Sequence, residues 1–292
     1  MINKPISYGR QYISDEDIQA VVDTLKSDYL TCGPAIPAFE KAFSEYVHCK
    51  YAVAVNNATS ALHLAAIALG VKPGDNVICT PMTFASSANC IRFCGGNVKF
   101  VDINPKTYLL DLDKLKETLE SAPKGTYKGM VLVDFAGYPH NMEEYRKVAD
   151  EYGMWILEDA CHAPGAYFID STGEKVFCGS GKYSDITVFS FHPVKHITTG
   201  EGGMACTQNK EYYEKMALYR THGITHDVDK LQRKDGLWYY EMQELGYNYR
   251  ITDIQAALGT SQLKRARKNV EIRRELVRKY NEAFTDIEGI KT

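Results

Sequence analysis

The sequence predicts an α/β fold with a mostly parallel sheet sandwiched by helices, and three observations lead there. Short apolar runs alternate along the chain with longer amphipathic stretches. Those runs are apolar throughout instead of switching between apolar and polar, as strands covered on both faces are. Polar residues able to do chemistry stand at the ends of several runs, where open α/β sheets gather their ligands.

In chain order the candidate strands are 51–55, 76–80, 98–101, 130–135, 155–158 and 186–191. Helical patterns lie between them, as in 60–69, 112–119 and 142–152. Strand–helix–strand repetition of this kind lays successive strands parallel. Residues 225–238 are polar, charged and without a clear period, which reads as a surface loop. From Thr252 to about Glu282 the pattern is one long helix, with Ile254, Ala257, Leu258 and Leu263 on one side and many lysines and arginines on the other. Glu271, Glu275 and Glu282 interrupt the basic residues, so a solvated helix face is expected and not a nucleic-acid patch.

Composition narrows the function classes. Hydrophobic residues make up 45% and charged residues 24% of the 292 positions, ordinary for a globular protein and contrary to disorder. A net charge of -3 gives no field that would draw in nucleic acid or an anionic membrane. The first residues lack the apolar core of a signal peptide, and no apolar run approaches the roughly 18 residues a membrane span needs. A cytoplasmic location is therefore expected. None of the eight cysteines forms a Cys-x-x-Cys pair, so reduced, mostly buried thiols are expected, with no metal.

Three segments at strand ends carry candidate chemistry. Asn57-Ala58-Thr59-Ser60-Ala61-Leu62 follows the first strand and opens a helix, whose free N–H groups and small residues suit a phosphate. An N-cap followed by an ordinary core helix would look the same. Asp159 ends the run Trp155-Ile156-Leu157-Glu158, where a carboxylate is costly unless something partners it. A pyridinium N–H would serve, and so would a cap on the next turn; His162 follows close by. The third segment runs Ser190-Phe191-His192-Pro193-Val194-Lys195 into Glu201-Gly202-Gly203. A lysine with its ordinary pKa of about 10.4 is a poor nucleophile and has to be desolvated or held near a cation to act as one. The neighbouring Phe, Pro, Val and Ile residues could desolvate it.

Taken with Leu245-Gly246-Tyr247-Asn248-Tyr249-Arg250-Ile251-Thr252-Asp253, these segments resemble the DegT/StrS family of sugar aminotransferases. The resemblance implies a fold-type I architecture dependent on pyridoxal 5'-phosphate (PLP). It implies that Lys195 bonds the cofactor as the catalytic residue and that Asp159 pairs with the pyridine nitrogen. Phe84 would stack on the ring with His162 beside it, and Ala58, Thr59 and Ser190 would hold the phosphate. Asn248 would reach the phosphate in a neighbouring subunit, which implies a homodimer with shared active sites. Tyr8 and the segment Asp28-Tyr29-Leu30-Thr31 would line the nucleotide-sugar side.

Within the family the similarity is greatest to the pseudaminic acid branch, through Ala58, Val133-Asp134-Phe135-Ala136-Gly137 and Ile197-Thr198-Thr199. That branch moves an amino group from L-glutamate to C4 of a UDP-4-keto-6-deoxy-N-acetylhexosamine, forming UDP-4-amino-4,6-dideoxy-N-acetyl-β-L-altrosamine. His196 departs from its pattern, where proline is expected. Members also run beyond this length, so the resemblance implies a PLP-binding large domain over 1–250 and, over 251–292, a long helix leading into a small C-terminal domain that is largely missing. Another UDP- or dTDP-4-keto-6-deoxy sugar, or an inactive PLP-binding relative, are the alternatives. Sugar dehydratases of the family carry histidine in place of the lysine, against which Lys195 speaks. A nucleotide-binding dehydrogenase would need Gly-x-Gly-x-x-Gly after the first strand, and no glycine follows Val55 until Gly70.

Overall fold

Residues 9–233, 235, 236 and 238–290 are described by the computed structural model. Capping sets the opening helix. Ser14 accepts from the Asp17 N–H while the Asp17 carboxylate reaches back to the Ser14 N–H, and this reciprocal pair starts α1 (Asp15–Leu25). After α2 (Ala35–Val47), strands and helices alternate: β1 (Tyr51–Val55), α3 (Ala58–Ala68), β2 (Asn76–Cys79), α4 (Ala85–Phe93), β3 (Asn97–Phe100), α5 (Leu112–Glu120), β4 (Tyr127–Val133) and α6 (Met142–Tyr152). β5 (Trp155–Asp159) precedes a hairpin of β6 (Tyr167–Ile169) and β7 (Lys175–Phe177). β8 (Ile186–Ser190) and β9 (Gly203–Thr207) come next, then α7 (Lys210–Arg220) and the short pair β10 (Ile224–Thr225) and β11 (Glu241–Met242). The chain continues through α8 (Asp253–Leu263) and α9 (Ala266–Phe284).

The seven-stranded sheet has the order β1-β9-β8-β5-β4-β2-β3. Every pairing from β8 through β3 is parallel, as the sequence leads one to expect. β9 is the exception, antiparallel to both β1 and β8, and it is not among the candidate strands. Side chains on successive strand residues face opposite layers. Val131 and Leu157 pack under α3 and α4, with Leu62, Leu64 and Ile91. Met130, Leu132 and Ile156 pack under α5 and α6, with Leu115, Met142 and Tyr145. A third cluster joins Phe39, Phe43, Phe189 and Phe191 to Ile251 and Ala256 of the C-terminal region. Burying each such side chain is worth about 1.5–3 kcal/mol, which explains why these runs carry no polar alternation.

Two expectations need correction. The fourth strand stops at Val133 and not at 135, because Asp134 leaves the ladder and Ala136 takes a left-handed conformation, φ 54° and ψ 16°. The single long helix from Thr252 is two helices, broken at Lys264 and Arg265. The Arg265 side chain folds back onto the Asp17 carboxylate and the Tyr12 carbonyl, a tertiary contact that local periodicity does not encode. The buried face of α8 is Asp253, Ala256, Gly259, Ser261 and Gln262, while Ile254, Ala257 and Leu258 stay half-buried. Gly259 sits there because a Cβ would come within 2.6 Å of the Phe39 ring. Among the described residues no helix is long and apolar enough to cross a membrane.

Candidate active site

All three strand-end segments meet around one cavity of about 760 Å³, within the usual span for small-molecule sites of roughly 300–1,000 Å³. Asn57 caps α3, its side chain accepting from the Ser60 N–H at 2.8 Å. The N–H groups of Ala58 and Thr59 precede the first intrahelical bond and face outward with the positive end of the helix, a setting for an anion. Gly203 backs this turn. A Cβ there would fall 2.6 Å from the Ala58 nitrogen and the Asn57 carbonyl carbon, so only glycine lets β9 lie this close behind the helix start. The Thr59 hydroxyl is 2.7 Å from Ser86 Oγ, and buried Ser190 closes the same end.

Asp159 reaches the cavity from the end of β5, three places from β1 in the sheet. Ser87 Oγ donates to its Oδ2 at 2.6 Å, and the Cys161 N–H to its Oδ1 at 3.2 Å. Neutral donors thus hold the carboxylate, and no cation is paired with it among the described residues. Phe84 opens α4 with 77% of its surface exposed and its ring on the cavity wall. Lys195 is half-buried in a turn closed by its N–H to the His192 carbonyl at 2.8 Å. Thr198 and Thr199 tie the rest of that loop to the Phe191 and Glu201 carbonyls at 3.1 and 2.6 Å. Among the described residues Lys195 makes no ion pair, so an amine stands free in a cavity with a carboxylate at one end and helix N–H groups at the other. His162 lines the wall between them and accepts the Ala136 N–H at Nδ1 over 3.2 Å. Burial, and then the Lys195 charge, push its pKa below the ordinary histidine value.

A flat heteroaromatic ring with a phosphate at one end, a protonated nitrogen at the other and a carbonyl between matches this donor set. Across residues 11–292 the sequence fits the DegT/DnrJ/EryC1/StrS aminotransferase family. The chain belongs to that family. Its cofactor is pyridoxal phosphate, and it is an aminotransferase. A Campylobacter jejuni UDP-4-amino-4,6-dideoxy-N-acetyl-beta-L-altrosamine transaminase is 40% identical over 96% of this chain and 69% of its own length. The solved Helicobacter pylori PseC, an aminotransferase of pseudaminic acid biosynthesis, superposes with a TM-score of 0.86 at 32% identity, over 98% of this chain and 72% of that one. A Streptococcus pneumoniae sugar aminotransferase, Spr1654 in its PMP form, does so at 0.85 and 31%, over 97% of this chain and 73% of that one.

Of the residues singled out from sequence, Ala58, Thr59, Phe84, Asp159, His162, Ser190 and Lys195 come together on this cavity. Asn248 does not; it is exposed on a segment bridged to Thr221. Asp28, Tyr29, Leu30 and Thr31 are exposed beside the start of α8, where the Leu30 carbonyl takes the Asp253 N–H at 3.0 Å, and they do not line the cavity. Tyr8 lies outside the described residues. Sequence reading missed Ser86 and Ser87 and gave Tyr249 no role. Ser86 and Ser87 could have been found, because they follow a strand end and open a helix just as Thr59 and Ser60 do.

Proposed function

We propose that this aminotransferase moves an amino group from L-glutamate to C4 of a UDP-4-keto-6-deoxy-N-acetylhexosamine, the reaction that forms UDP-4-amino-4,6-dideoxy-N-acetyl-β-L-altrosamine in the pseudaminic acid pathway. Likeness to the Campylobacter transaminase and to PseC supports this choice of substrate. Lys195 carries the proposal: its amine stands unpaired in the cavity, between the Asp159 carboxylate and the N–H groups that open α3. When bound, PLP supplies the electron sink for the carbanion formed at the donor's α-carbon. Lys195 would hold the cofactor, and its Nζ is the group that could accept and return a proton beside it. Asp159 holds the proton on the pyridine nitrogen, while Ser87 and the Cys161 N–H keep its oxygens aimed. Ala58, Thr59 and Ser190 hold the phosphate, and Phe84 and His162 flank the ring, so the reacting carbon stays aligned.

The enzyme is proposed to work in the cytoplasm as a homodimer in which Asn248 of each subunit reaches the other's phosphate. An exposed apolar surface at Trp238, Tyr240, Met242 and Leu245, near Asn248 in sequence, is consistent with such a contact. Tyr8 and 28–31 are assigned to the nucleotide-sugar side. Residues 1–250 are read as the cofactor-binding domain and 251–292 as the lead into a smaller one, consistent with the uncovered Ile272, Leu276, Val277 and Tyr280 of α9.

Purified protein is expected to be yellow, and borohydride to fix the cofactor on the Lys195 peptide. Incubation with glutamate and a panel of UDP- and dTDP-4-keto sugars is expected to give the UDP-4-amino sugar by mass. Lys195→Ala is expected to lower that activity on the order of 10⁴-fold. Colourless protein that takes up no added PLP would end the proposal, and amination of a dTDP sugar alone would move the substrate.

A further inference from the structure

Outside the cavity lining, Asp134, His140, Glu158 and Cys178 form a group of buried side chains for which the transamination chemistry has no use. Asp134 follows β4, and its N–H donates to the Asp159 carbonyl at 3.1 Å. Its Oδ1 accepts the His140 N–H at 3.1 Å and lies 2.9 Å from His140 Nδ1. Both side chains are sealed from water. Because Oδ1 is the acceptor, Nδ1 of His140 carries the proton, and its Nε2 is left with no partner against the Tyr145 ring. Burial pushes the His140 pKa down to about 4, so the ring is neutral.

The other oxygen, Oδ2, has no ordinary donor. A carboxylate oxygen of Asp134, one of Glu158 and the Cys178 thiol all lie within 4.8 Å of one another. Burial, and for Glu158 the Asp134 charge next, raise the pKa of both carboxyls. Two carboxyls so close resist ionising together, and Oδ1 alone grips His140.

The grip closes a loop that the backbone would otherwise resist. Ala136 is left-handed, which is unfavourable for a residue with a Cβ. Gly137 is at φ 85°, and a Cβ there would strike the His162 carbonyl oxygen at 2.7 Å. This conformation delivers the Ala136 N–H to His162 Nδ1. An imidazole that accepts at Nδ1 carries its proton on Nε2.

We propose that Asp134 and His140 are positioning residues: by latching the 134–140 loop they aim the Ala136 N–H at His162, which fixes His162 as a hydrogen-bond donor through Nε2 and not a base beside the cofactor ring. The role at the ring rests on the cofactor site proposed above; the tautomer does not.

The test uses the whole chain stripped of PLP, with ¹⁵N-labelled histidine, and reads the His162 tautomer from two-bond couplings. Wild type is expected to show His162 protonated on Nε2 alone at neutral pH. Asp134→Ala opens the latch, so His162 should show a mixture of Nδ1-H and Nε2-H tautomers. Asp134→Asn keeps an oxygen for both His140 N–H groups and should restore the wild-type pattern. When PLP is added back, its dissociation constant should rise about tenfold in Asp134→Ala, equal to ~1.4 kcal/mol, and return with Asp134→Asn. His140→Ala, which leaves the Asp134–Glu158 contact in place, serves the same comparison should Asp134→Ala not fold. A proton on Nδ1 in wild type overturns the proposal, as does a folded latch variant with His162 unchanged. Failure of the cofactor assignment would look different: the tautomer as expected, and no uptake of PLP.

Discussion

Asp17, under α8, and Asp134, under the cofactor site, are equally hidden, at 0% and 1% exposed. Their pKa values are shifted in opposite directions. Burial pushes both upward. At Asp17 the hydrogen bond from the Arg265 guanidinium, with those from Ser14 and Ser261, more than reverses this and holds the carboxyl at about 2. At Asp134 no cation is paired with it among the described residues, and burial, only partly opposed by the His140 N–H, lifts the carboxyl to about 7. Burial alone therefore does not decide whether a carboxyl is an anion. The donors within reach do.

Removing Arg265 breaks this contrast most severely. Arg265→Ala leaves a buried anion with only neutral donors and is expected to cost about 3–5 kcal/mol, read from the urea midpoint at neutral pH. The contrast also has a pH signature with two limbs. Asp17 is lowered in the folded state, so the stability it lends is full above its unfolded value of 3.8 and is lost as pH falls through about 2, an effect of about 2 kcal/mol. The Asp134–Glu158 pair is raised, so the folded chain keeps a proton that the unfolded chain has released above about pH 4. Stability should then fall as pH rises through the pair's range. Glu158→Gln removes one of the two raised carboxyls and should make the alkaline limb shallower; urea midpoints between roughly pH 5 and pH 9 measure it. The mildest case is Arg278→Ala on α9. Its pairs with Glu275 and Glu282 lie in solvent, and no measurable change in Tm is expected.

What could be read in advance follows the same division between local and distant causes. β1 is 51–55 as expected, and β5 and β8 are off by one residue, because runs buried on both faces announce themselves. β9 escaped because Gly-Met-Ala-Cys-Thr has no strong strand former before its last residue and sits after a glycine turn. The break between α8 and α9 escaped because a carboxylate from α1 causes it. At the site, Lys195 and Asp159 were legible as polar groups at strand ends. The position of Ser87 at a helix start was legible too, but not its hold on Asp159 from 72 residues away, nor the latch on His162, since a hydroxyl or an imidazole has no periodicity to betray its partner.

β9 also bears on how the enzyme comes to be assembled. It pairs with β1 from the first third of the chain and with β8 next to it, and Gly203 backs the start of α3. Pairings between such distant segments form slowly, because the intervening loop must be ordered before any contact rewards it. The phosphate end of the pocket is thus expected to be among the last parts to form. Any free energy gained from PLP then accrues to molecules that have already finished folding. Cofactor supply in the cell would thereby set not only how active this protein is but how much of it escapes degradation.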